Sequence, residues 1–232
     1  MLSWRWAATL GAVIVLLATS PALAHGIQGK DAAFVAANSG QQIIPFLYLG
    51  AKHMVTGYDH LLFIFGVIFF LYRLAHVAIY VTLFSLGHSL TLMSGVLNEI
   101  DVNAHLVDAV IGLSVAYKAF DNLGGFQTLF GFQPGTRTAV LGFGLVHGFG
   151  LATKLQDLNL APDGLIDNLV AFNVGVELGQ LVALSLMLTL IVWWRTRPSF
   201  NRTAVAANAL LMLLGFALTQ YQLIGYLIEK GA

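Results

Sequence analysis

Long apolar runs separated by short polar breaks set the pattern of this chain. The first run, Ala7 to Ala18, follows Arg5 and precedes Pro21 and Ala22-Leu23-Ala24. A basic start, a short apolar core and an A-x-A site are the layout of a secretory signal. Residues 1–24 are therefore expected to be removed, which would leave His25 at the new N-terminus; an uncleaved first helix is the alternative. Residues 25–56 are more polar, with Lys30, Asp31, Asn38, Gln41, Gln42, Lys52 and His53, and Pro45 and Gly50 punctuate them. They predict an external segment followed by an interfacial helix.

From residue 57 the runs lengthen. Tyr58–Tyr72, His76–Leu97, Ala104–Phe120, Arg137–Leu155, Asn168–Trp194 and Thr203–Ile228 each approach the roughly 20 residues that a helix needs to cross a bilayer. Residues 57–232 are thus predicted to be an all-α, polytopic transmembrane bundle of six spans. The run with the weakest pattern is Ala104–Phe120, which holds Asp108 and ends at Lys118. Composition agrees with this class. The 232 residues are 58% hydrophobic and only 9% charged, against about 25% charged in a soluble domain. The formal net charge of +0 gives no reason to expect a nucleic-acid partner, and the lipid bilayer is the expected one.

Charge also predicts orientation. With the signal removed, the mature N-terminus is outside, and the inner loops then carry Arg73, Lys118, Arg137, Arg195, Arg197 and Arg202. The outer connections carry Glu99, Asp101, Asp157, Asp163 and Asp167 beside a single Lys154. Basic loops stay in the cytoplasm, so the two lines of reasoning give one topology: a multi-pass protein of a bacterial inner membrane with a periplasmic N-terminus.

Against this apolar background a few ionisable residues stand out. Asp59 and His60 sit side by side at the start of a run, His88 and His147 lie inside later runs, and Glu177 lies inside the fifth. At ~1.5 Å per residue, His60 and His88 lie roughly 20 Å from the inner edge, Asp108 and His147 roughly 15 Å, and Glu177 roughly 25 Å. One layer of the bundle would hold them all, and charged groups at that depth face each other, water or an ion. Asn173, Glu177 and Gln180 share one helical face, Ser85 is one turn from His88, and His53 is about two turns before His60. Ser85, Asn173, Gln180 and His53 are therefore candidates to orient the layer, while His60, His88, His147, Glu177, Asp59 and Asp108 are candidates to bind a metal. Gly142, Gly144, Gly148 and Gly150 around His147 would let neighbouring helices approach. The chain has no cysteine, so a metal would take imidazole and carboxylate ligands, which suits nickel, cobalt, zinc or copper(II). A metal-free polar network or a proton relay is the competing use of the same residues.

Four motifs in order carry a resemblance. Gly57-Tyr58-Asp59-His60-Leu61-Leu62-Phe63, Phe84-Ser85-Leu86-Gly87-His88-Ser89, Gly142-Phe143-Gly144-Leu145-Val146-His147-Gly148 and Phe172-Asn173-Val174-Gly175-Val176-Glu177 resemble the HupE/UreJ family of bacterial membrane proteins. The resemblance implies a permease or carrier for nickel or cobalt, or a delivery accessory to a hydrogenase or urease maturation system, with Asp59, His60, His88, His147 and Glu177 at the motif positions. The HPxxGxDH pattern of its nickel members is altered, because His53-Met54-Val55-Thr56 precedes Gly57; this is similar to a second branch that keeps the histidine without the proline. Asp108 stands where that pattern leads one to expect Glu. An intramembrane zinc-dependent hydrolase is the alternative function, since three histidines and an open position make a catalytic zinc site.

Overall fold

The computed structural model describes residues 40–157 and 162–231, and every regular element among them is a helix. The signal segment, His25 and the rest of residues 25–39 lie outside the described residues. The helices are α1 (Ile43–Thr56), α2 (Tyr58–Ile68), α3 (Leu74–Leu97), α4 (Ala104–Asn122), α5 (Gly125–Phe130), α6 (Thr136–Gln156), α7 (Leu165–Arg195) and α8 (Phe200–Gly231).

Three long pairs surround a short centre. α1 lies parallel on α7, α3 parallel on α6, and α4 antiparallel on α8, while α2 touches α3, α4, α7 and α8. Glycine makes each pairing close. A Cβ on Gly175 would stand 2.0 Å from the Leu47 carbonyl oxygen, one on Gly148 2.2 Å from that of His88, and one on Gly215 2.5 Å from the Ala116 nitrogen. Backbones this close gain dispersion contacts that apolar lipid cannot offer in their place. The segment predicted to be an interfacial helix is α1; it buries Phe46, Leu49 and Met54, and only Gly57 separates it from α2.

Around the histidines the bundle is apolar outside and polar inside. α3 exposes Leu86 and Leu90 but encloses Ser85, His88 and Thr91; α7 exposes Val174, Leu178 and Leu181 but encloses Asn173 and Gln180. That inversion is the arrangement a helix adopts with lipid on its outer face. Four described helices, within α3, α6, α7 and α8, are long and apolar enough to cross a membrane, and the chain is a multi-pass membrane protein. The two remaining predicted spans differ for local reasons. The first, expected over Tyr58–Tyr72, starts at Tyr58 just after the break at Gly57 but ends at Ile68, which leaves α2 only 11 residues long. α4 carries Asp108, Lys118 and Asp121 within 19 residues.

The ends of the bundle differ in charge. Arg73, Arg137, Arg195, Arg197 and Arg202 lie at one, termed the basic end; Glu99, Asp101, Asp157, Asp163 and Asp167 lie at the other, the acidic end. Asn168 ties the acidic end by accepting from the Gln42 amide at 2.6 Å and donating to the Gly40 carbonyl at 2.9 Å. Arg195 ties the basic end. Its guanidinium donates to the carbonyls of Ile68 and Leu71 at 3.1 and 2.8 Å, and also to that of Phe69, holding the end of α2.

Candidate metal centre

The site forms at the break just before the first predicted span. Gly57 adopts φ −72° and ψ 96°, which stops α1 and starts α2. A Cβ there would press on His60 Nδ1 and the His53 carbonyl, each 3.0 Å away, so glycine lets the His60 ring fold back over the break. The break puts His53 in the last turn of α1 and Asp59 and His60 in the first turn of α2. Backbone carbonyls at a helix C-terminus carry partial negative charge, and a carboxylate suits the next helix's N-terminus. Both features favour a cation at the junction.

Asp59 fixes its neighbour. Its Oδ1 lies 2.7 Å from the His60 amide nitrogen and 2.8 Å from His60 Nδ1. A carboxylate only accepts, so Nδ1 donates and, in the neutral ring, Nε2 keeps the lone pair. His147 is set the same way. Its Nδ1 lies 2.7 Å from the Phe143 carbonyl oxygen, one turn back on α6, which also can only accept. Two rings from different helices thus present Nε2 as the basic nitrogen, the orientation that outer hydrogen bonds impose on metal-binding histidines.

His53, His60 and His88 each bring a ring nitrogen to within 4.8 Å of the others, a spacing that can hold one metal ion. The His60 ring centre stands 5.0 Å from that of His53, 5.9 Å from His88 and 5.1 Å from His147. All four rings are buried, and His88 is wholly enclosed with no hydrogen bond to either ring nitrogen. A buried polar group without a partner costs about 1–3 kcal/mol. Metal coordination would offset that cost, so the donor set fits a borderline divalent ion.

Glycine on the α3–α6 seam brings His88 and His147 to one side. Gly144 and Gly148 face the α3 backbone, Gly150 faces α4, and a Cβ on Gly142 would meet nothing within 4 Å. Ser85 donates to Gln180 Oε1 at 2.7 Å, which joins α3 to α7 beside the layer. Asn173 is buried but donates to the Leu169 carbonyl of its own helix at 2.9 Å. Asp108 reaches the layer from α4, lining one cavity with His53, His60, His147 and Lys154. Glu177 is half-buried on α7, outside the histidine trio, with no hydrogen bond or ion pair among the described residues.

Two residues that approach Asp108 escape a reading of the sequence as motifs. Lys154 pairs with Asp108 at 2.8 Å, and Gln222 on α8 approaches the same carboxylate oxygen at 3.4 Å while accepting from His105 Nδ1 at 2.7 Å. The signal for Lys154 is spacing: seven residues after His147, it falls on the same side of α6 two turns on. Nothing in the sequence marks Gln222.

Below the layer the lining changes. Phe63, one turn after His60, packs on Phe84, Phe143 and His147 with ring centres 5.3, 5.7 and 5.6 Å away. Val67, Val115, Val140 and Leu211 continue this cluster toward the basic end.

A buried histidine layer inside a multi-pass helical bundle defines a membrane protein with a candidate metal centre. The chain belongs to the HupE/UreJ family: the family model described as HupE / UreJ protein matches residues 29–230. No curated protein and no solved structure matches the chain.

Proposed function

We propose that this protein is a permease for a divalent transition metal, nickel or cobalt, which it holds in transit at the histidine layer. The observation that carries this reading is the trio His53, His60 and His88, three nitrogen donors from separate helices within 4.8 Å of one another. His147, aimed by its bond to Phe143, is the fourth ligand in this reading, with Asp59 balancing charge through His60. Membership of the HupE/UreJ family supports nickel or cobalt as cargo. α1 and α2 together make a discontinuous helix with binding groups at the break, the form that ion-coupled carriers use at mid-membrane.

Six crossings fit this role: α1 with α2 as one broken traverse, then α3, α4, α6, α7 and α8. The basic end is cytoplasmic by the positive-inside rule, so metal enters from the acidic, periplasmic end, the charge there favouring cations. The Phe63–Phe84–Phe143 floor closes the other side. Release inward requires those rings to part, by a movement of α2 against α3 and α6.

An intramembrane zinc hydrolase is favoured by one feature, a cavity whose floor toward the basic end is packed. Flux separates the two, because a permease needs two compartments and a hydrolase turns over in detergent.

The test is elemental analysis of the purified, tag-free protein in detergent, wild type beside His88→Ala. We expect about one nickel, cobalt, zinc or copper ion per chain in the wild type, lost in the variant, whose membrane insertion is unchanged. Equal metal in both proteins overturns the site as drawn, and none in either puts a proton relay in its place.

A further inference from the structure

The cavity that exposes the histidine layer has a fixed cation at its edge. Lys154 Nζ lies 2.8 Å from Asp108 Oδ2, with side-chain exposures of 16% and 9%. Both residues line the same cavity as His53, His60 and His147. The other oxygen of Asp108, Oδ1, is buried without a hydrogen bond and lies 3.5 Å from where a Gly150 Cβ would stand, one turn of α6 beyond His147. The carboxylate therefore has one oxygen on the ammonium and the other open beside the stretch of α6 that carries His147.

We propose that Lys154 is a tethered competitor for the incoming cation, and the residue that decides which ions pass the mouth of the cavity. This rests on the permease reading. In the resting protein the ammonium neutralises Asp108. A metal that takes Asp108 as its first ligand competes with Lys154, because two cations on one carboxylate repel each other strongly at low dielectric. Lys154 lies in the last turn of α6, and its four-carbon stem can swing the ammonium toward water at the acidic end while the helix stays in place.

The exchange is selective by charge and by softness. A monovalent ion brings no more charge to Asp108 than the ammonium it replaces. Magnesium brings more but gives up its water reluctantly and gains little from imidazole. A borderline dication gains the carboxylate first and the histidine nitrogens next.

The test is isothermal titration of nickel chloride into the full-length protein in detergent, with magnesium chloride as competitor. Wild type is compared with Lys154→Met, Lys154→Gln, Asp108→Asn and the Asp108→Asn/Lys154→Met double variant. With the competitor removed, Lys154→Met and Lys154→Gln are expected to bind nickel about tenfold tighter, and to let magnesium compete where wild type ignores it. In the Asp108→Asn background Lys154→Met is expected to gain nothing, since no carboxylate is left to contest. Unchanged or weaker nickel binding in both lysine variants overturns the proposal. So does an equal gain with and without Asp108, which would make Lys154 a distant repulsive charge and nothing more. Absence of nickel binding in wild type itself is a failure of the permease reading, whereas normal wild-type binding with unaltered lysine variants is a failure of the competitor alone.

Discussion

His60 and Phe63 stand one turn apart on the same face of α2, yet they belong to opposite environments. Around His60 lie three more imidazoles and the Asp59 carboxylate, and Asp108 lines the same cavity as His60. Around Phe63 lie Phe84, Phe143, Val67 and Val115, an apolar cluster whose edge meets the His147 ring. The two halves are stabilised differently. Aromatic pairs like those of the floor contribute about 0.5–1.5 kcal/mol each beyond burial. The polar layer is costly when its groups lack partners, and only specific bonds such as Asp59–His60 and Phe143–His147 offset that cost. A layer that stability alone would remove, set directly on a packed apolar floor, is the asymmetry expected of a binding site with one open side.

The contrast breaks most severely by emptying the floor. Phe63→Ala removes the ring that supports both Phe84 and His147 and should lower stability by about 3–5 kcal/mol, read as a lower Tm in detergent. In proteoliposomes the same variant should pass metal faster in both directions, because the seal below the layer is gone. An unchanged Tm and unchanged flux would show that the floor neither supports nor closes the site. Asp59→Asn acts on the layer and spares the floor. Loss of the carboxylate that orients His60 should weaken metal binding by about 10–100-fold, measured by titration, with a smaller change in Tm. Wild-type affinity in that variant would mean that His60 needs no orienting partner.

Much of the layer is legible in the sequence because intramembrane charge is rare and spacing along a helix converts directly to depth. His60, His88 and His147 are readable in that way, and the structure does bring them together. The broken first span is less legible. Gly57 marks the interruption, but the lengthwise packing of α1 on α7 depends on Gly50, Gly175 and Gly179 fitting a partner more than a hundred residues away. His53 looks peripheral for the same reason, since its place in the trio depends on the angle between α1 and α2. Lys154 falls at the end of the predicted run Arg137–Leu155 and reads as outer-loop charge; its pairing with Asp108 depends on how α6 packs on α4, which spacing along the chain does not give.

The smallest expected effect is also the sharpest test of depth as a guide. Glu177 shares its depth with the histidines and a helical face with Gln180, yet it is half-buried, and no partner meets it among the described residues. Depth fixes only one coordinate; rotation about the helix axis fixes whether a side chain faces the layer. α7 presents Phe172, Gly175, Val176 and Gly179 to α1 and Gln180 to Ser85, so Glu177 is turned to the flank beyond them. Glu177→Gln should therefore change metal affinity by no more than about twofold, as for a substitution away from the contacts that hold a site. His76→Ala, at the basic end of α3 and far from the layer along that helix, should behave alike. A large loss of binding in Glu177→Gln with His76→Ala unaffected would mean that α7 rotates when metal enters. The arrangement described here would then be the resting one, with Glu177 completing the site only in the loaded protein.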